Sequence, residues 1–552
     1  MDLKSKMGLL FESLWPDVVV ATTTVILIIY WKLIVLYSYW SSKGVPNPKP
    51  KFFYGNTKEF MLKQTTQAEN YQKLYNDLEG HPFGGVYQGT HPFLILRDPE
   101  TIRLFMSKDF NHFTDRGFAA DEKRAPLSGH LFNLGGQRWK SLRVKLTPTF
   151  TSGKIKMMFN IMAECAERMK QSLENPAKKG HTVEIKEVSS QYTTEVIGSC
   201  AFGLQIDSIN NSESEFRKLG RRILNPSFFG MLRLFIRNFF PSLGKCFIFI
   251  RDKRLENFFL KVVEDTVRHR EENNIERKDF LQLLIEMKHK DRVDYSKLPR
   301  PQEGNLPNGE TNLSPMEGKV NDIGHINEES FYFAELTDNL LASQCFVFFV
   351  AGFETSSATM SFCLHELAVN QDVHIRLTSE VDRVLSEHGG NISYEVIQKM
   401  KYMDQVVDET LRKYPPLGNL DRLCTKDYTI PGTKVHLEKG TNVKIPVYAL
   451  HYDPKYYPDP HKFDPERFNE ENKKQRHTYT YLPFGEGPKN CIGMRFGLMQ
   501  VKVGLASLLS RYHFSVCPQT KVPLVLDPTQ DLFVLAKDGV FLRINDRKIT
   551  SG

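Results

Sequence analysis

Cysteine is scarce in this chain: its 552 residues hold eight, at positions 165, 200, 246, 345, 363, 424, 491 and 517. No two are spaced as CxxC, which excludes a zinc ribbon or a thioredoxin-type redox motif. So sparse a set fits buried free thiols in a reducing compartment better than a secreted disulfide scaffold. Blocks of Lys and Arg are missing as well. The 73 basic and 65 acidic residues are interspersed and leave a formal charge of +8, with no tail of the nucleic-acid-binding kind. There is no internal repeat and no GxGxxG turn to cradle a dinucleotide. With 41% hydrophobic and 25% charged residues, the chain is neither disordered nor collagenous nor a coiled coil. Its length would allow several domains, but the punctuation is weak and one large unit is expected.

One long apolar run is present. Val18 to Trp40 carries Lys32 as its only charge, and about 20 apolar residues cross a bilayer as a helix. Trp15, Tyr30, Trp31, Tyr37, Tyr39 and Trp40 supply rings suited to headgroup depth. Lys43, Lys49 and Lys51 follow the run, whereas Asp2, Glu12 and Asp17 precede it with only Lys4 and Lys6. The positive-inside rule therefore leaves the long C-terminal part in the cytosol. No small-x-small site follows, which argues against a cleaved signal peptide. The run reads as a signal anchor, and Lys32 draws its membrane-buried end back toward Trp31. Pro46, Pro48 and Pro50 favour an extended, stiff spacer beyond it. The expected organisation is an anchor segment at 1–45, a proline-rich hinge at 46–50 and a body at 51–552.

In the body, helical patterns dominate. Short strand-like runs occur early, at Gly85–Tyr87 and Phe93–Leu96, and late, at Tyr428–Ile430 and Val443–Val447. The fold class is mainly α with small β-sheets. Residues 289–328 turn polar and proline-rich and read as a flexible surface insertion. A long helix is expected from about Phe331 to Val369, and its stretch Leu340–Phe353 is apolar almost all round, as in a helix that crosses a protein interior. Within it lies Ala351-Gly352-Phe353-Glu354-Thr355-Ser356. A glycine and a carboxylate in an apolar helix are costly unless the helix opens there to water or a small ligand.

Two further motifs follow. Glu409 and Arg412 share a helix face at i, i+3 and can pair, with Arg467 of a Pro-Glu-Arg-Phe loop as a third member. The richest segment is Phe484-Gly485-Glu486-Gly487-Pro488-Lys489-Asn490-Cys491-Ile492-Gly493. It places Cys491 just before a helix N-terminus, where unpaired N–H groups and the helix dipole favour a thiolate and lower its pKa. With no second Cys or His beside it, one thiolate suits a metal whose other ligands come from a macrocycle, namely haem iron.

In this order and at these separations, the motifs resemble the cytochrome P-450 monooxygenases of the microsomal class. Phe113-Thr114-Asp115-Arg116-Gly117 and the overall wording resemble the insect branch that handles lipophilic foreign compounds. The resemblance implies an α-rich triangular prism holding haem b, with Cys491 as proximal ligand and Phe484, Gly485 and Gly493 packed around sulfur and haem. Thr355 and Glu354 would line the distal oxygen pocket and deliver protons. Trp139, Arg143 and Arg422 would hold the haem propionates. Glu409, Arg412 and Arg467 would form a buried brace. The family usually has Arg two residues before the ligand cysteine, and this chain has Lys489. That lysine reads equally as a propionate contact without the bidentate fork or as a solvent-facing cation.

The resemblance also implies electrons from NADPH through a separate NADPH–cytochrome P-450 reductase, with cytochrome b5 as a further partner, at the endoplasmic reticulum membrane. Basic residues Arg138, Lys140, Lys145, Lys489 and Arg495 would receive the acidic flavoprotein. Candidate pocket residues are Phe113, Phe118, Leu127, Phe346, Phe349 and Phe353, with a further apolar tract at Ile223–Phe240, and together they favour a greasy substrate. Two rival readings are a haem-thiolate isomerase or dehydratase acting on a peroxide and a haem-based gas sensor.

Overall fold

The computed structural model describes residues 14–118, 120–211, 213–224, 252–292 and 336–547. Cys246, nearly all of the insertion 289–328 and most of the tract Ile223–Phe240 lie outside the described residues.

The N-terminal helix spans Leu14–Tyr37 and is exposed along nearly its whole length. At 1.5 Å per residue it extends about 36 Å, enough to cross a bilayer. The span ends earlier than Trp40, however. Leu33 is buried, Leu36 and Tyr37 pack on the body, and Trp40 belongs to the core with no exposed surface. Its indole N–H donates to the Val86 carbonyl at 3.2 Å, and its ring lies so close to Gly85 that any side chain there would collide with it. An indole needs a partner for its N–H when buried, and here a strand end supplies one. The proline-rich segment is docked rather than free: Gly85 N–H donates to the Pro46 carbonyl at 2.8 Å, and the Asn56 amide to the Pro48 carbonyl at 3.1 Å.

Those residues rest on a four-stranded sheet ordered Phe83–Gln88, His91–Leu96, Asn442–Ile445 and Leu420–Leu423. The first pair is antiparallel, the middle pair parallel and the last antiparallel, so the sheet unites the two ends of the chain. A three-stranded sheet (Thr182–Glu184, Phe541–Asp546, Tyr512–Ser515) and a two-stranded ribbon (Tyr428–Thr429, His436–Leu437) are the other sheets among the described residues.

The helical core gathers around one helix, Asp338–Val369, capped by Thr337, whose hydroxyl accepts from the Leu340 N–H at 3.2 Å. It starts at Asp338, and the expected earlier start at Phe331 lies outside the described residues. It is apolar enough for a membrane span but mostly buried in the protein, because helices Ile185–Ile197, Lys253–Asn273, Lys401–Lys413 and Met494–Leu509 pack around it. No break opens in it at Gly352. A side chain there would meet Ile197 Cδ1 at 2.4 Å, so the glycine permits helix–helix approach rather than a gap.

Replacing Trp40 by Ala removes a fully buried indole and leaves the Val86 carbonyl without its donor. A loss of about 3–5 kcal/mol in unfolding free energy, read from denaturant midpoints, is expected.

Candidate active site

The cysteine loop is a tightly folded turn. Gly485 and Gly487 adopt the left-handed conformation (φ 69° and 74°), and a Cβ on Gly487 would sit 2.0 Å from the Met106 carbonyl. The Cys491 N–H donates to the Phe484 carbonyl at 2.8 Å, closing the loop on itself. Two residues on, Gly493 caps the helix Met494–Leu509. That helix passes beside the oxygen-motif segment of the long helix, with a Cβ on Gly497 falling 3.8 Å from Ser356 Oγ.

Cys491 is the one exposed thiol among the described cysteines, yet protein surrounds it and burial pushes its pKa up. The Gly493 N–H, Arg143 and Arg116 pull the other way without winning. The expectation of a lowered pKa fails because desolvation outweighs the helix terminus. An exposed yet desolvated sulfur faces an interior void rather than the outer surface. The long helix shows a matching face: Ala351 is exposed and Val347 and Thr355 are half-exposed in the middle of a buried helix, at the i, i+4, i+8 spacing of one face.

Beside the void lies a group of cations, Arg422 and Lys489 buried and Arg116 and Arg143 half-buried. Burial is the largest cause of a lowered pKa in all four, and neighbouring cations add to it at Arg116 and Lys489. Arg116 falls to about 9, Arg143 and Arg422 to about 10 and Lys489 to about 6. Little balances them. Asp421 is paired with Lys444, and Asp115 is bonded to the Gly136 N–H at 2.7 Å. Arg422 Nε is buried without a hydrogen-bond partner. Such a cluster is unfavourable unless an anion enters it.

Lys489 is buried, so the solvent-facing alternative is wrong and it cannot belong to a surface for a reductase. Its ammonium donates to the carbonyls of Thr114 (2.5 Å) and Leu134 (3.2 Å) and lies 4.8 Å from the Trp139 ring centroid. Arg143 is held by Asn490, through the backbone carbonyl (2.9 Å) and Oδ1 (2.7 Å). Arg116 grips the Lys489 and Phe132 carbonyls at 3.0 and 3.2 Å. Its role was not legible in sequence, where Arg116 entered only as part of the Phe113–Gly117 segment and nothing tied it to Cys491.

The expected Glu409–Arg412 pair forms, and Arg467 approaches it without a hydrogen bond from its Nε. Arg412 and Glu409, both fully buried, make a two-pronged pair at 2.7 and 2.9 Å, and Arg467 Nε lies 3.5 Å from Glu409 Oε1. Glu409 holds Arg412 charged, its pKa raised despite burial. Arg412 also donates to the His451 and Pro460 carbonyls, both at 2.8 Å. His451, missed in sequence, extends the brace to the cysteine segment. Its Nδ1 lies 3.0 Å from the Arg412 carbonyl, and its Nε2 accepts the Leu482 N–H at 3.0 Å.

Glu354 is 1% exposed and pairs with Lys186 at 2.8 Å. It lines a cavity of about 220 Å³ with Lys186, Ser361, Asp527, Gln530 and Val540. The Lys186 ammonium also donates to Ser190 and Ser357 Oγ, both at 3.0 Å. Thr355 Oγ1 donates to the Ala351 carbonyl at 2.5 Å, which leaves its oxygen lone pairs free on the void-facing side of the helix.

The aromatic candidates divide. Phe113 packs against Phe105 and Tyr428 in the sheet core, apart from the others. Phe349 and Phe353 are buried on the far side of the long helix from Ala351, with Phe349 against Phe202, Phe216 and Phe259. Leu127 is core. Half-buried Phe118 and Phe346 are joined through Phe132 and His130.

A desolvated thiol at a helix N-terminus beside a cluster of poorly balanced cations is chemistry that fits a cofactor carrying both a metal and anionic groups. Among the described residues no three His, Cys, Asp or Glu side chains converge on a metal-sized point, so a metal here must bring most of its ligands. The orphaned Arg422 Nε and the cation cluster fit the two carboxylates of an iron porphyrin, with Cys491 as the single protein ligand. A family model for cytochrome P-450 matches residues 45–301 and 320–543, and the chain belongs to that family of monooxygenases. It is 40% identical over 516 residues to cytochrome P-450 6k1 of Blattella germanica, covering 92% of this chain and 93% of that protein. It is also 40% identical to the probable cytochrome P-450 6a14 of Drosophila melanogaster, over 93% and 96% of the two chains. Cytochrome P-450 6a2 of the same fly is 40% identical over 92% and 95%.

Burial holds the His451 pKa down to about 3, against about 6.5 in an unfolded chain. The unfolded state therefore takes up the proton first, and the stability tied to neutral His451 is complete above about pH 6.5 and lost as pH falls toward 3. By pH 5 that loss amounts to about 2 kcal/mol. Denaturant midpoints at pH 7 and 5 are expected to show it, and His451→Gln, whose amide donates and accepts without titrating, is expected to flatten the difference.

Proposed function

We propose that this monooxygenase inserts one oxygen atom of O2 into lipophilic, membrane-partitioned compounds, foreign or endogenous, and reduces the other to water. Haem b held by Cys491 supplies the oxygen-activating chemistry when bound. The observation that carries the reading is the unbalanced cation cluster beside an exposed yet desolvated thiol. Arg116, Arg143 and Arg422 would pair with the propionates, with the Arg143 guanidinium already oriented by Asn490. Lys489, whose pKa burial holds at about 6, would carry its charge only with a propionate beside it, and its donors are largely spent on backbone carbonyls. Trp139 lies under the Lys489 ammonium and fixes its position. Phe484, Gly485 and Gly493 shape the loop that presents the sulfur.

Val347, Ala351 and Thr355 form the wall of the void on which substrate rests, with half-buried Phe118 and Phe346 at its apolar rim. The Thr355 hydroxyl hydrogen is tied to the Ala351 carbonyl, so its oxygen accepts a hydrogen bond from a water in the void and holds that water where it can pass a proton on. Glu354 is the link behind it: its carboxylate stands at the cavity shared with Lys186, Asp527 and Gln530, and swinging off Lys186 would connect that cavity to Thr355.

The chain carries no dinucleotide turn, so electrons come from NADPH through a separate flavoprotein reductase, with cytochrome b5 as a second donor. Arg138, Lys140, Lys145 and Arg495 remain as candidate contacts; Arg138 already pairs with Glu122. The helix Leu14–Tyr37 anchors the protein in the endoplasmic reticulum membrane, with the body in the cytosol. The 40% identity to insect relatives over nearly the whole chain supports the xenobiotic branch.

Cys491→Ala is expected to abolish the ferrous–carbon monoxide Soret band near ~450 nm that marks axial thiolate. A retained band would refute the ligand. Thr355→Ala is expected to keep that band while diverting NADPH electrons to peroxide, measured as product formed per NADPH consumed; an unchanged ratio would remove Thr355 from the proton route.

A further inference from the structure

We propose that Gln344 is a positioning residue that sets the size of ligand the void admits, by pinning the loop that roofs it. Gln344 is fully buried on the long helix, seven residues before Ala351 on the helix face that turns toward the loop. Its side-chain oxygen accepts the Leu131 N–H at 3.0 Å, and its amide nitrogen donates to the Gly129 carbonyl at 3.3 Å. The same nitrogen lies 3.0 Å from the Leu340 carbonyl and 2.9 Å from Ser343 Oγ, which fix its orientation. One side chain thus satisfies a donor and an acceptor on opposite sides of His130.

The pinned segment carries a row of rings that runs from Phe118 to Phe346 on the long helix. The His130 ring lies between Phe132 (6.5 Å) and Phe346 (6.3 Å), and burial with Arg116 nearby keeps it neutral, its pKa lowered to about 4. Phe132 packs at a tilt against Phe118, ring centroids 5.4 Å apart, and lies under the Arg116 guanidinium at 4.5 Å. Its carbonyl also accepts from Arg116. A single path of bonds therefore runs from the long helix through Gln344, residues 129–132 and Arg116 to the cation cluster. Buried amide pairs of this kind are expensive to leave unmade, so the loop has one seated position while Gln344 holds it. Without that hold, the Phe118–Phe132–His130 edge is free to move off Phe346 and widen the void. The selectivity part of this inference rests on the haem-thiolate reading, and the pinning part does not.

The test uses the full-length protein and two variants. Gln344→Met keeps the side-chain length and volume but makes none of these bonds, whereas Gln344→Glu retains the acceptor for the Leu131 N–H. Hydrogen exchange at the Leu131 amide is expected to quicken ~10-fold or more in Gln344→Met and to stay near wild type in Gln344→Glu. Imidazole and 1-phenylimidazole, read by the Soret shift on binding, supply the size ladder. The affinity ratio of the large to the small probe is expected to rise about tenfold in Gln344→Met, with the ferrous–carbon monoxide band intact. Unchanged exchange overturns the pin, and quickened exchange with an unchanged ratio overturns the role in selectivity. Should Gln344→Met fail to fold, unaltered Leu131 exchange in a Gln344→Leu variant would overturn the pin equally. Loss of the carbon monoxide band in wild type would instead refute the haem reading and leave the exchange result to decide the pin.

Discussion

The fold is organised around a charge problem. Arg116, Arg143, Arg422 and Lys489 are brought together in the interior with their carboxylate neighbours engaged elsewhere. Charges buried in this way are held only by a framework stable enough to pay for them, and an incoming dianion relieves the strain. Cofactor binding then stabilises the native chain by mass action. Arg422 reaches the cluster from the four-stranded sheet, Arg143 from a helix, Arg116 from the loop before it and Lys489 from the cysteine turn. The site therefore reports on whether all these elements are seated together.

The brace explains how the cysteine turn keeps its place without help from the cofactor. Glu409 and Arg412 satisfy each other, and the remaining guanidinium donors go to the His451 and Pro460 carbonyls. Breaking a buried pair by removing one partner costs about 3–5 kcal/mol, and here it would also release His451 from its orientation. Through Leu482 the same network reaches the start of the turn that ends in Cys491. Stability and ligand presentation are thus carried by one set of bonds.

On the opposite side of the long helix, Glu354 illustrates what sequence could and could not say. A carboxylate in an apolar helix announced a special environment, and the structure supplies it as Lys186, at a separation in the chain that no local pattern reveals. Gly352 announced an opening and proved to be a packing contact with Ile197. The difference is that a glycine is read from its missing side chain, and only a neighbour tells whether the space is filled. Phe113, Phe349 and Phe353 failed as pocket residues for the same reason: ring and helix spacing do not distinguish the face toward a void from the face toward the core.

Sequence by itself determined the local chemistry. The apolar N-terminal helix, the long interior helix, the compact cysteine turn and the Glu409–Arg412 pair each follow from neighbours within a few residues, where helix geometry and backbone sterics dominate. Tertiary structure alone decided which charges meet. Arg116, Lys186, His451 and the burial of Lys489 depend on contacts between segments far apart in the chain, set by how the helices and the sheet pack. It also reversed the direction of the Cys491 pKa, because desolvation is a property of everything around the sulfur and not of the turn that carries it.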